Sequence, residues 1–279
     1  MSLKIEADIS VGSEPCVGAW SEKIFIGTED GFIRSYNTDL SSATSWAAHA
    51  VQPFAIAAGG GTVYSSSNDG GIRVWTPEGT KLKELPITGG DIGSIYVFDK
   101  HVYAGDEVGN VLVYENNEIK ATYQVLEEVK DLCFNEPFLF TVRDLYVTVT
   151  EIKPEESKTR FLTRHAMEGR APIRISGQFL LFMSRDGNHL RLHEASINTN
   201  FKFLHEVKVS DMIVTSIAVI GDYAFTGGWD GFVRRWKICN NQLEPSGVLE
   251  VGSCVNALIS GSNSVYAALS GGRLIRIKS

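Results

Sequence analysis

Apolar and polar residues alternate with a period of two through much of this chain, in short runs broken by turns containing glycine or aspartate. Phe32-Ile33-Arg34-Ser35-Tyr36 is one such run. A strand sends successive side chains to opposite faces, so this alternation suits a strand with one face buried. One segment recurs along the chain: a short apolar strand, a tight polar turn, then a second alternating strand. The copies are KIFIGTEDGFIRSY (Lys23–Tyr36), TVYSSSNDGGIRVW (Thr62–Trp75), HVYAGDEVGNVLVY (His101–Tyr114) and FLFTVRDLYVTVT (Phe138–Thr150). FLLFMSRDGNHLRLH (Phe179–His193), YAFTGGWDGFVRRW (Tyr223–Trp236) and SVYAALSGGRLIRIK (Ser264–Lys278) complete the set.

With the turns placed at Asp30, Asp69, Val108, Asp144, Asp186, Asp230 and about Gly272, the intervals are 39, 39, 36, 42, 44 and 42 residues. A period near 40 belongs to propeller blades, not to helical repeats of 33–34 residues. An apolar strand precedes each copy, as in PCVGAW (Pro15–Trp20) or VTSIAVI (Val214–Ile220), and a more polar one follows, as in KLKELPI (Lys81–Ile87). Asp-Gly at the turn supplies the φ > 0 position of a tight hairpin. The expected fold is therefore all-β: a seven-bladed propeller with four antiparallel strands per blade, residues 1–279 forming a single domain. The stretch Glu118–Asp131 is rich in helix formers. Its apolar residues fit a helical face only loosely, and a helix there would break the repeat register, so it is read as strand and linker. The last copy lacks an outer strand, while residues 3–9 (LKIEADI) belong to no complete blade. Pairing these leftovers would close the ring and remove an open sheet edge.

Composition narrows the function. Hydrophobics make up 43% and charged residues 21%, which supports a packed core. The longest apolar runs, such as Met212–Ile220, are far below the roughly 20 residues of a membrane helix, so membrane insertion is not expected. The net charge of −7 argues against direct nucleic-acid binding, which depends on neutralising phosphates. The N-terminal residues carry no signal-peptide pattern. Four scattered cysteines without a CxxC pair, and no glycosylation sequon, fit a reducing compartment. A cytoplasmic protein is expected, with the nucleus left open.

GGWDGFVRRW and SSNDGGIRVW resemble the WD-repeat (WD40) family, whose repeat ends in a pattern like S-x-D-G-x-I-R-x-W-D; blades 1, 2 and 6 match well. No copy keeps the terminal Asp: Thr76 follows Trp75, and Lys237 follows Trp236. The resemblance implies a hydrogen-bonded tetrad of His49, Ser65, Asp69 and Trp75 within blade 2. It also implies that Trp236 packs between blades as Trp75 does. Asp30, Asp69, Asp186 and Asp230 are read as turn-holding residues, because a short carboxylate accepts hydrogen bonds from the backbone that follows it.

No phosphate loop, dinucleotide fingerprint, zinc helix or nucleophile elbow occurs, and the six histidines are not at metal-ligand spacings. No catalytic residue, cofactor or metal is assigned. The resemblance implies a non-catalytic scaffold that binds a protein or peptide on the loop face of the propeller, within a multi-protein complex. Two alternatives stay open: a substrate-recognition subunit of a ubiquitin ligase, and an enzyme or small-molecule binder using the central channel. Inner strands rich in Val, Ile, Ala and Gly, with Asp131 and Arg174 as polar exceptions, make a poor setting for chemistry.

The turns after each second strand and the linkers into each inner strand should emerge on one face. There, blades 1–3 would present Glu14, Glu29, Asp91, Asp106, Glu107, Glu127 and Glu128, and blades 4–5 Arg143, Arg164, His165, Arg170, Arg185 and His189. Same-sign charges on neighbouring blades build a local field. The basic sector is thus expected to accept an acidic or phosphorylated peptide. Trp229, between Gly228 and Asp230, should be exposed as an interface anchor, with Phe54 and Met212 as apolar companions. The resemblance implies the same, since in one member of the family a Trp in the matching turn faces the partner-binding surface.

Overall fold

The computed structural model describes residues 2–278. Among them, twenty-eight strands form seven four-stranded antiparallel sheets, and the only helix is a single 3₁₀ turn, Ile197–Thr199. The inner strands are Pro15–Ser21, Ala55–Gly59, Ile92–Phe98, Asp131–Asn135, Arg170–Ser176, Val214–Ile220 and Val255–Ser260. Each begins a blade whose remaining strands follow in chain order, except in blade 7. There the outer strand is Ile5–Ser10, hydrogen-bonded to Arg273–Lys278, so the ring closes by joining the two ends of the chain. The link is reinforced by Val11 N–H donating to the Gly272 carbonyl at 2.7 Å and by an Arg273–Asp8 ion pair at 2.6 Å.

Buried side chains sit between blades rather than within them. Ile24, Ile26 and Tyr36 of blade 1 pack against Ile259, Tyr266 and Leu274 of blade 7. Trp75 packs among Phe25 and Ile33 of blade 1, and Trp236 among Leu181, Met183 and Leu192 of blade 5. Alternation gives each sheet two apolar faces, and stacking neighbours around the ring buries both. The stretch Glu118–Gln124 is a strand paired with Asn110–Glu115, and residues 125–130 are the following linker.

Blade 3 departs from the turn pattern. Asp106 occupies the strand-end position that Thr28 holds in blade 1, opposite Ile92 as Thr28 is opposite Pro15. Its carboxylate accepts the N–H groups of Val108 (3.1 Å) and Asn110 (2.6 Å) and the Asn110 amide (2.7 Å). It is only 1% exposed, so Asp106 holds the turn from beneath and contributes no surface charge, contrary to the expectation from sequence.

Candidate interaction surface

The turns and the linkers meet on one face because the backbone ties them together. Trp229 N–H donates to the Ile213 carbonyl (3.1 Å), and Val251 N–H to the Gly231 carbonyl (2.9 Å), so the blade 6 turn is held by the linkers on both sides. The same stitching joins Glu29 to Glu14, His49 to Gly31, Glu107 to Asp91, Gly169 to Leu145 and Val209 to Asn188.

Beneath this face the turns are braced by side chains. In blade 2, His49 Nδ1 lies 2.7 Å from Asp69 Oδ1, His49 Nε2 lies 2.8 Å from Ser65 Oγ, and Trp75 Nε1–H donates to Ser65 Oγ at 2.9 Å. Asp69 also accepts the Ala50 N–H at 2.6 Å. The proton order follows. A carboxylate can only accept, so Nδ1 carries the hydrogen, and Nε2 accepts the Ser65 hydroxyl hydrogen. Burial holds His49 below its ordinary imidazole value, against the opposing pull of Asp69. In blade 6 Trp236 Nε1–H donates to Thr226 Oγ1 at 2.9 Å.

The turn aspartates also bind a side chain that sequence reasoning missed. Arg34, Arg73 and Arg234 each return four residues to pair with Asp30 (2.8 Å), Asp69 (3.2 Å) and Asp230 (2.6 Å). Arg34 and Arg234 also lie over Phe32 and Phe232, with their guanidinium carbons 5.4 and 5.1 Å from the ring centroids. The repeated D-G-[FG]-[IV]-R string was the available signal. Asp186 is instead satisfied by Ser184 Oγ (2.5 Å), Asn188 N–H (2.9 Å) and His189 Nδ1 (3.2 Å). The Ser184 hydrogen bond comes first among the causes that bring its carboxyl down to about 2.

The residues expected to meet a partner fall into three groups. Trp229 is 58% exposed and Met212 is 53% exposed, and the Trp229 backbone N–H is bonded to the carbonyl of Ile213, the residue after Met212. Phe54 is half-buried and lines the mouth of the central channel instead, so it does not join them. The basic residues are dispersed. Arg143 is within 3.5 Å of Glu127, and Arg185 within 3.4 Å of Glu168. Arg164 lies partway along the outer strand Phe161–Glu168 and pairs with Glu151, far from the turn at residue 144. Its neighbour His165 stacks on Phe201, which follows the 3₁₀ turn of blade 5. Both are therefore on the flank, not on the loop face, because a bulge and a long outer strand place them well before its end at Glu168. Most of the expected basic sector is thus neutralised in pairs; His165, stacked on Phe201, and Arg170 are the exceptions.

At the centre, Arg174 crosses toward Asp131, with Nη1 2.8 Å from Oδ2. Asp131 also accepts the Ile173 N–H at 3.0 Å. Ser94 donates to the Val129 carbonyl and Thr215 to that of Val255. Val108 and Leu126 form a second exposed apolar spot on blade 3 and its linker; composition gave no sign of it, since exposure there follows from the shifted turn.

No protein-family model matches the chain. A curated protein, type I inositol polyphosphate 5-phosphatase 13 of Arabidopsis thaliana, is 32% identical over 60 residues, which is 22% of this chain and 5% of that protein. Solved structures match over the whole ring. The WD40 β-propeller domain of Doa1 superposes with a TM-score of 0.82 at 15% identity, covering 100% of this chain and 97% of that one. A chain of a mitotic checkpoint complex gives 0.84 at 13% identity over 99% and 91%. The C-terminal WD40 domain of Sif2 gives 0.73 at 12% identity over 100% and 98%. The fold is a seven-bladed propeller of the kind seen in these WD40 domains. No helix among the described residues is long and apolar enough to cross a membrane.

Proposed function

We propose that this propeller is a non-catalytic scaffold that holds a partner protein on the face where its turns and linkers emerge, with Trp229 and Met212 as the apolar anchor. The observation that carries this reading is the exposure of Trp229 on a turn fixed from both sides. Its indole extends from backbone already fastened to Ile213 and, through Gly231, to Val251. A rigidly presented Trp brings large apolar area at little ordering cost, which is why the residue dominates interface energetics. The non-catalytic part is supported by the channel, where Asp131, Ser94 and Thr215 are each engaged by protein groups. The WD40 solved structures, one of them within a multi-protein assembly, support the scaffold reading by analogy of fold.

Affinity capture with wild-type and Trp229→Ala baits tests it. A partner retained by the wild type is expected to bind the variant weaker by about 2 kcal/mol, the hot-spot scale, while the melting temperature stays unchanged. Unaltered capture together with a large loss of melting temperature would show that Trp229 is a structural cap.

A further inference from the structure

We propose that the mouth of the central channel receives a single oxyanion group, a carboxylate or a phosphate on the bound partner segment, with the Arg170 guanidinium as its principal donor. This inference rests on the reading of the loop face as the partner surface and supplies the chemistry of its centre.

The mouth is a funnel of about 420 Å³ whose lining includes Lys130, Arg170 and Arg174. Three cations and one carboxylate line the concavity of a chain whose net charge is −7, and Arg170 is the cation among them left without an ion pair. Same-sign charges in a walled cleft focus the field. The one carboxylate in the lining, Asp131, is committed to Arg174 and to the Ile173 N–H. Lys130 is 3.0 Å from Glu128. The carboxylates of the strand and turn beside Arg170 are also occupied: Glu168 by Arg185, and Asp186 by Ser184, Asn188 and His189.

Arg170 itself makes no ion pair and no side-chain hydrogen bond among the described residues. Its position is nevertheless defined. It opens the inner strand of blade 5 and lies over Gly187, where a Cβ would stand 3.3 Å from Nη1 and 3.4 Å from Cδ. Gly187, at a turn position whose φ of +79° favours glycine, thus lies directly beneath the Arg170 side chain. A guanidinium presents paired N–H donors to a planar oxyanion and is less strongly hydrated than an ammonium, so it is suited to a half-buried site.

The intact chain is titrated with citrate and, separately, with inorganic pyrophosphate, following the melting temperature and the Nε–H resonances of its arginines. In the wild type the melting temperature rises with anion concentration, as mass action requires, and the Arg170 resonance shifts. Arg170→Gln binds about tenfold more weakly. Arg170→Lys, which keeps the charge without the fork, falls between the two. Arg164→Gln, on the flank of blade 4, titrates as wild type. A response to one anion alone assigns the carboxylate or the phosphate as the group received, and a response to both assigns either. The absence of a saturable response in the wild type overturns the proposal, as do equal affinities in the wild type and both Arg170 variants. No partner protein enters this titration, so its failure leaves the Trp229 surface standing, and failed capture by Trp229 leaves the oxyanion site standing.

Discussion

The Ser65 hydroxyl is the single atom on which the blade 2 network turns, and Ser65→Ala is the perturbation that measures it. Ser65 is fully buried. Its oxygen receives the Trp75 Nε1–H at 2.9 Å, and its hydrogen goes to His49 Nε2 at 2.8 Å. Truncation to Ala strips both neighbours of their partner at once, and both face apolar surroundings between blades 1 and 2. Leaving a buried polar group unsatisfied costs about 1–3 kcal/mol. Two such groups give an expected loss of roughly 2–6 kcal/mol if the penalties add. Blade 6 supplies the internal control. Thr226→Val keeps the side-chain shape and removes the acceptor of the Trp236 Nε1–H alone, so its loss should be that of one group, about 1–3 kcal/mol. Urea unfolding of the two variants reads the difference as a shift in midpoint at unchanged slope. If Ser65→Ala costs no more than Thr226→Val, the two bonds at Ser65 do not act as a buried relay and the proton order assigned to His49 is wrong.

Leu3→Ala should cost about 2–4 kcal/mol, because Leu3 is buried among Phe225, Val233 and Val255 and lies against Gly247. Guanidinium unfolding checks it, and a loss below about 0.5 kcal/mol, the usual range of a surface substitution, would mean that the segment before the closing strand is not anchored to blade 6. Burial holds both His49 and His193 below the ordinary imidazole value. The unfolded chain therefore takes up protons near about pH 6.5 that the folded chain refuses, and stability must fall as the pH drops through that region. Melting temperatures measured from about pH 7.5 to about pH 5 should show the decline; a flat profile would refute the assignment of neutral, buried rings.

What the sequence determined by itself is the part of the protein governed by local rules. Seven copies near a 40-residue period, strands alternating as Phe32–Tyr36 does, and Asp-Gly turns together specify seven blades. The unpaired leftovers at residues 3–9 and 264–278 specify how the ring closes. These features rest on periodicity and on turn chemistry within a few residues, and both are written along the chain. The tetrad of His49, Ser65, Asp69 and Trp75 was reachable too, because the family pattern marks each member. Only the tertiary structure decided which charges the loop face displays. Asp106 and Asp30 are both turn aspartates, yet one is buried and the other exposed, because the blade 3 carboxylate sits two residues earlier in register. Arg143, Arg170 and Arg185 look alike in sequence. Glu127 and Glu168 neutralise two of them across linkers, and Gly187 leaves the third beside an open channel. Charge on a surface depends on which partners lie within a few ångströms, and those partners come from other strands and other blades, where no local pattern reaches.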